Sequence, residues 1–574
     1  MLPEARIDPI TLEVVKNALA STADEMALVI MRSAYSPVVR DTMDYSTALC
    51  DRNGRVVAQG LTLAVQLGTF PTVMGYVLEE FGSSARPGDV YIANDPYGCG
   101  GQHLPDIYVI QPVFVDDVLE GYAATMAHHS DIGGIAPGSI AVHATEIYQE
   151  GLRIPLSKLS DAGVENTLLL RLIEANTRQP VHVLGDLRAQ LAACRVGERG
   201  LTALIERYGS DAHEYMDELQ RVAERMMRAE LTKLPDGIHA FTDYIDGVGD
   251  TPVPIPICVR VEIAGDEVLI DLEGTSPQVD ASVNCPVGMV YAAAYCAIRG
   301  IVRGEIPNCE GYMIPIKVNA PAGTVVNPVL PAACGARGVI GYRVYDAIMG
   351  ALAPIVPDRV IAAGEGGPTL IAWGGYDENR RPFGTTEVLV GSWGARSSLD
   401  GLEGVSNPLA NLGNQPVELI EADLPLRVER YGLVPDSGGA GRQRGGLAYV
   451  REYELLAPKA TLTFRTDRRD HPPYGLDGGE PGAPSSNIVV SGGEASELPT
   501  MPMHAFVLER GDRFTHASAG GGGFGDPFDR DPAAVLEDVL DGKVTVAAAR
   551  ARYGVVLSEG AVAPDATREL RAGR

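Results

Sequence analysis

The period of apolar and polar positions changes several times along this 574-residue chain. Asp8-Pro9-Ile10 opens a helix, with Asp8 suited to the N-cap and Pro9 to the first turn. Small or apolar side chains recur at i+4 as Val14, Ala18, Thr22, Met26 and Ile30, which predicts one buried face. The helix should stop before Ser36-Pro37, because proline disfavours a helical residue before it. Two apolar runs within residues 46–59 then flank Asn53-Gly54, the strongest short signal for a hairpin. Residues 89–93, 107–115 and 121–127 read as buried strands, the last two as a hairpin. Helical spacing returns over residues 166–234, and residues 259–263 and 268–272 alternate around a Gly265-Asp266 turn. Residues 284–357 mix helices (290–302 and 342–352) with Pro- and Gly-rich loops. Short strands dominate 417–507, two short helices follow at 532–540 and 544–553, and the tail after Ala561 is expected to be disordered.

This pattern predicts a mixed α/β (α+β) multi-domain protein, too long for one ordinary core. The predicted division is an α/β metal-binding N-terminal part (1–160), a helical insert (161–236), a central α/β domain (237–415), a β-rich domain (416–527), and C-terminal helices with a tail (528–574). The formal charge of −28, from 75 acidic and 47 basic side chains, argues against nucleic acid and anionic lipid as partners. No basic-then-apolar leader opens the chain, and its longest apolar run, 288–298, is well short of the ~20 residues that span a bilayer. A cytoplasmic location away from membranes is therefore expected. The eight cysteines are scattered without a C-x-x-C, which reads as reduced, buried thiols.

Chemistry concentrates in residues 94–153, which hold four of the ten histidines. Two H-x-x-D units, His103/Asp106 and His128/Asp131, bracket the 107–127 hairpin, and antiparallel pairing would bring its two ends together. Imidazole plus carboxylate can hold a catalytic divalent cation with an open position. Pro105 disfavours a regular helix, so His103 and Asp106 can converge across a turn. His128 and His129 are adjacent on a strand and should point to opposite faces, so at most one of them ligates this ion. Residues 40–45 offer an acidic fourth ligand. The same polar residues could instead cap turns and satisfy buried backbone groups. The run Gly520 to Gly525 formally matches G-x-G-x-x-G, but Asp526-Pro527 follows where a dinucleotide site needs a helix, so a tight backbone loop is expected. No P-loop motif occurs. Arg442, Arg444, Arg465, Arg468 and Arg469 could contact a phosphate or carboxylate, although surface pairing with the excess acids is the favoured reading.

Several long blocks resemble signatures of the hydantoinase B/oxoprolinase family: Asn94-Asp95-Pro96-Tyr97, Gly101-Gln102-His103-Leu104-Pro105-Asp106, His128-His129-Ser130-Asp131-Ile132-Gly133-Gly134, Glu150-Gly151-Leu152-Arg153-Ile154-Pro155, Pro435 to Gly441, Arg444-Gly445-Gly446-Leu447 and Gly520 to Pro527. The resemblance implies a subunit of an ATP-dependent hydrolase of hydantoins, lactams or oxoproline, or of an acetone- or acetophenone-type carboxylase. It implies a divalent metal, zinc or manganese, on His103, Asp106 and His128, with Asp41 as the further acidic ligand. His129 and Asp131 are then expected to orient a ligand or move a proton. ATP and magnesium would sit on a separate hydantoinase A-type subunit in a hetero-oligomer, with a small molecule as substrate. A non-catalytic scaffold with a structural metal and a stand-alone metal hydrolase are the other readings. Two departures from the family pattern stand out: Gln66, where many members carry histidine, and the block Cys334 to Gly338.

Overall fold

The computed structural model describes residues 7–573 except Ile140 and Pro368. The first helix, Pro9–Ser33, starts where the Asp8 carboxylate accepts from Thr11 N at 2.9 Å. Its buried face is Val15, Leu19, Ala23, Met26, Ala27 and Ile30, while Val14 is 43% exposed. Of the expected i+4 stripe only Met26 and Ile30 are buried; Val14, Ala18 and Thr22 each lie one position before a buried residue. Each step of four residues overshoots a 3.6-residue turn, so a straight contact line must mix i+3 and i+4.

A seven-stranded sheet follows: β1 (Tyr45–Asp51), β2 (Val56–Gln59), β3 (Val90–Ala93), β4 (Asp106–Val115), β5 (Val118–His128), β6 (Ser157–Asp161) and β7 (Val164–Glu165), in spatial order β2-β1-β5-β4-β3-β6-β7. The β1–β2 and β4–β5 pairs are the two hairpins read from the sequence. The first helix and the long helix Pro180–Tyr208 cover one face, packing on Leu49, Val109 and Ala123. Helix Phe70–Phe81 covers the other, packing with Tyr108, Tyr122, Ala124 and Met126. Burial on both faces explains why β4 and β5 read as near-continuous apolar runs rather than clean alternations.

A second sheet of four strands spans residues 237–319. Helix Gly338–Leu352, buried at every residue, lies on it and against helix Val287–Ile301. In a third sheet, strand Thr369–Tyr376 pairs on one side with Pro382–Leu389 and on the other with Lys459–Arg465, across the 415/416 division. The β-rich stretch also contains a helix, Val417–Asp423. The end of the chain is helical over Pro564–Ala572 rather than a disordered tail. Arg571 there donates to the Tyr553 and Arg530 carbonyls, which ties it down. Among the described residues no helix is long and apolar enough to cross a membrane.

The glycine run is not a surface turn. Gly520 to Gly523 are fully enclosed, and their N–H groups donate in turn to the carbonyls of Ala483, Gly446, Ala363 and Glu480. A methyl group on these four glycines would lie 1.9, 2.1, 2.0 and 2.2 Å from the carbonyl oxygens of Ser437, Trp393, Tyr474 and Ala440. Backbone here packs directly on backbone from four directions, which only glycine permits. Of the five clustered arginines, Arg442 and Arg469 pair with partly exposed acids as expected, and the other three lie in the interior. Arg444, Arg465 and Arg468 are buried; Arg468 is held by Asp243 and Asp346, and Arg444 by Glu403 and Asp538.

Gly521→Ala should therefore destabilise the protein by at least about 2 kcal/mol, the scale of overpacking a rigid core. Gly432→Ala, where a methyl group meets nothing within 4 Å, should cost less than about 0.5 kcal/mol. Chemical denaturation of the two variants checks this; equal stabilities would contradict the backbone-packed core.

Candidate metal centre

The β4–β5 register places Asp106 directly across from His128, with Tyr108 opposite Met126 and Ile110 opposite Ala124 on the same face. Side chains of directly opposed residues share one side of a sheet. His103 sits in the turn before β4, closed by Asp106 N donating to His103 O at 3.0 Å. One potential ligand atom from each of His103, Asp106 and His128 lies within 4.8 Å of the others, and all three residues are buried. The His103 and His128 ring centroids are 5.0 Å apart.

Two of these side chains, His103 and Asp106, are oriented by a second contact. His103 Nδ1 lies 3.1 Å from the Gly335 carbonyl oxygen. A carbonyl only accepts, so Nδ1 carries the proton and Nε2 presents its lone pair. The Gly335 loop is itself held by the buried Glu150 carboxylate, which accepts from Cys334 N at 3.0 Å and Gly335 N at 2.6 Å. Asp106 Oδ2 accepts from Arg337 Nη2, and Arg337 is braced by Gln102 Oε1 at 2.8 Å. This leaves His103 Nε2, Asp106 Oδ1 and His128 Nδ1 as buried atoms without a hydrogen-bond partner. Leaving one such atom unsatisfied costs about 1–3 kcal/mol, so three in one cluster fit a cation as the missing partner.

The electrostatics fit the same chemistry. Burial, then the Arg337 charge, pushes the His103 imidazole down to about 4. Burial and His103 push His128 to about 3, so both rings stay neutral as metal ligands require. Burial alone would raise Asp106, but the Arg337 guanidinium outweighs it and holds that carboxyl below its usual value. Asp44, which accepts from Gln66 Nε2 at 2.6 Å, is raised to about 7 by burial and by the charge of Asp106.

Three of the expected site residues lie elsewhere. Asp41 is not brought to the cluster: its carboxylate is paired with the Arg40 guanidinium at 2.8 Å. Met43, at a φ of +62°, turns the chain between Asp41 and β1. Asp44 instead continues β1 alongside β5, its carbonyl accepting from His128 N, and it lines the cavity at the cluster. His129 points to the opposite sheet face, where its Nε2 lies 3.0 Å from Gln190 Oε1 of helix Pro180–Tyr208. Asp131 clamps the following loop, accepting from Gly133 N, Gly138 N and both the backbone and guanidinium of Arg178. Neither belongs to the grouped ligand atoms, and the contacts seen for them are with Gln190 and with the 133–138 loop and Arg178.

The cavity at the cluster, about 40 Å³, is closed by residues far away in sequence: Arg337, Gly338 and Tyr342 from the start of helix Gly338–Leu352, and Leu370, Val388 and Arg465 from the third sheet. Gln66, one of the two departures from the family pattern, lines it beside Asp44, and the other, the Cys334–Gly338 block, supplies Arg337 and Gly338. The sequence singles out Arg465 only as one of five clustered arginines that could contact a phosphate or carboxylate.

Comparisons with known proteins agree over nearly the whole chain. The profile described as hydantoinase B/oxoprolinase matches residues 8–527. A protein of Pseudomonas sp. (strain NS671), described as one subunit of a "Putative D-/L-hydantoinase", is 36% identical over 99% of this chain and 98% of its own. The crystal structure of the ATP-dependent caprolactamase from Pseudomonas jessenii superposes with a TM-score of 0.91 at 31% identity, covering 99% of this chain and 100% of that one. The nucleotide-free structure of an acetone carboxylase also reaches a TM-score of 0.91, over 99% of this chain and 83% of that one, but at 18% identity this shows the shared fold alone. With a matched profile that begins at the first helix cap and ends just past the buried glycine run, the chain belongs to the hydantoinase B/oxoprolinase family.

Proposed function

We propose that this chain is the metal-bearing subunit of an ATP-dependent cyclic-amide hydrolase, acting on a hydantoin-, lactam- or oxoproline-type ring together with a separate A-type subunit that binds ATP and magnesium. The observation that carries this reading is the buried cluster of ligand atoms on His103, Asp106 and His128, in which His103 Nε2 and Asp106 Oδ1 lie 3.4 Å apart and neither they nor His128 Nδ1 has a hydrogen-bond partner outside the cluster. Support comes also from a relative named as one subunit of a hydantoinase and a structural neighbour named as an ATP-dependent caprolactamase. The chain carries no P-loop motif, which accords with ATP being handled elsewhere.

A ring amide resists hydrolysis because resonance removes charge from its carbon. In the proposed sequence the partner transfers the terminal phosphoryl group of ATP to the ring carbonyl oxygen. The amide proton is lost, ADP departs and an imidophosphate remains. Water then adds to the activated carbon, the carbon–nitrogen bond breaks to open the ring, and a second water releases phosphate. A divalent cation, zinc or manganese, in a site of this kind supplies acidification of water near neutral pH. His103 offers Nε2 to it because Gly335 fixes the other ring nitrogen, and Asp106 offers Oδ1 because Arg337 holds Oδ2. Asp44, facing the same cavity and hydrogen-bonded at Oδ1 by Gln66, can accept a proton at Oδ2. His129 and Asp131 keep their neighbours in place from behind the sheet.

His103→Ala is expected to bind less than about 0.1 ion per chain and to lose ring opening by at least about 1,000-fold, the rate equivalent of several kcal/mol of Lewis-acid stabilisation. Its circular dichroism should be unchanged. Full ring-opening activity with an empty site would overturn the proposal. His129→Ala should keep the ion, yet lose about 1–3 kcal/mol of stability because the buried Gln190 Oε1 is left unpaired; loss of the ion would return His129 to the ligand set. The lowered imidazoles give a third test. Protons should compete with the cation only as pH falls through about 4, so elemental analysis after dialysis at pH 5 should find the ion retained. Release between pH 7 and 6, the ordinary imidazole range, would contradict the buried-neutral description.

A further inference from the structure

Arg465 ends a strand of the third sheet and is 4% exposed, yet its Nε and Nη1 have no hydrogen-bond partner. An arginine cannot shed its charge at neutral pH, so a buried guanidinium with idle donors needs an acceptor. Its neighbours Arg444 and Arg468 in sequence both find carboxylates. Arg465 finds the metal-centre cavity, which it lines with Arg337, Asp44, His103 and His128.

A second feature converges on the same point. Helix Gly338–Leu352 begins at this cavity, and no side chain caps its N-terminus. A methyl group placed on Gly338 would lie 3.0 Å from Arg465 Nη2 and 3.1 Å from Nη1, so the guanidinium sits directly over the first residue of the helix. Guanidinium and helix N-terminus both favour negative charge, and glycine at 338 leaves the approach open. Burial and the nearby Arg337 charge push Arg465 down to about 9, the penalty that a bound anion would relieve. The cavity of about 40 Å³ has room for roughly three water-sized groups, which suits a compact oxyanion and not a nucleotide. Charge points the same way: Arg337 and Arg465 balance Asp44 and Asp106, so a dication on the ligand triad leaves a surplus that a dianion would neutralise.

We propose that Arg465 and the N-terminus of helix Gly338–Leu352 form a phosphoryl-oxyanion pocket beside the metal centre. This rests on the reading of the chain as part of an ATP-dependent hydrolase. There the group it holds is the phosphoryl of the activated ring or the phosphate released from it. Arg465 positions that group so that the activated carbon faces the ligand triad. Arg465 Nε and Nη1, which lack partners, can each donate a charge-assisted hydrogen bond to a phosphoryl oxygen.

The test uses inorganic orthophosphate and metal-loaded protein, read by isothermal titration calorimetry, with ion content measured on every variant. Wild type should bind orthophosphate. Arg465→Met should bind it about 10- to 100-fold more weakly, the range for losing charge-assisted hydrogen bonds, with the ion retained. Should Arg465→Met fail to fold, Arg465→Lys and Gly338→Ala replace it, and both should weaken phosphate at unchanged ion content. No orthophosphate binding by wild type, or equal binding by the variants, overturns the pocket, as does acetate binding as tightly as orthophosphate. This titration needs neither the partner nor ring opening, so it can fail while the hydrolase reading stands, and the reverse. In the assembled complex, more ATP cleaved per ring opened in the variant identifies the activated ring as the occupant. Unchanged coupling with weakened orthophosphate binding identifies the released phosphate.

Discussion

The antiparallel register of β4 and β5 is the constraint on which the site depends. Because Asp106 pairs with His128, a carboxylate and an imidazole emerge side by side on one face of the sheet. A slip of either strand by one residue would turn one of the two to the other face and separate them. The register is secured by burial on both sides, with Tyr108, Tyr122 and Met126 under helix Phe70–Phe81 and Val109 and Ala123 under helix Pro180–Tyr208. Hydrophobic packing over two whole faces therefore sets the position of a few polar atoms at the end of the hairpin. The same alternation sends His129 into the opposite layer, which is why two adjacent histidines have unrelated surroundings.

Around that hairpin the remaining groups are held by contacts between distant parts of the chain. Glu150 ties down the Cys334–Gly335 loop, Gly335 fixes the His103 tautomer, and Arg337 restrains Asp106. Charges this deeply buried are tolerable only when paired, and most of them here are. Among the buried polar atoms left without a hydrogen-bond partner, those of His103, His128 and Arg465 belong to residues that line one small cavity. The C-terminal half supplies its roof, and that half is kept compact by glycine segments whose backbones touch.

Hairpins and helices with strong local signals were legible in the sequence. Asn53-Gly54, the Asp8 cap and the two runs around β4–β5 each depend on neighbours a few residues away. The grouping of His103 with Asp106 and His128 was legible for the same reason, since one hairpin brings them together. Asp41 and Asp44 could not be told apart, because their difference lies in a positive φ at Met43 that no motif announces. The place of Arg465 was hidden more deeply. Charge composition suggested a surface role for the arginines, whereas the pairing of Leu370 with Arg465 carries this one into the interior. The glycine run was legible as tight backbone, but its enclosure was not, since glycine serves close backbone packing and sharp turning equally well.

The central claim is that His103, Asp106 and His128 grip one divalent cation. Anomalous diffraction collected on either side of the metal absorption edge, from crystals grown without chelator, tests it most directly. The account predicts one peak per chain, at about 2.0–2.2 Å from His103 Nε2, Asp106 Oδ1 and a His128 nitrogen. A peak elsewhere, or none at this cluster in protein that opens its ring substrate, would contradict it.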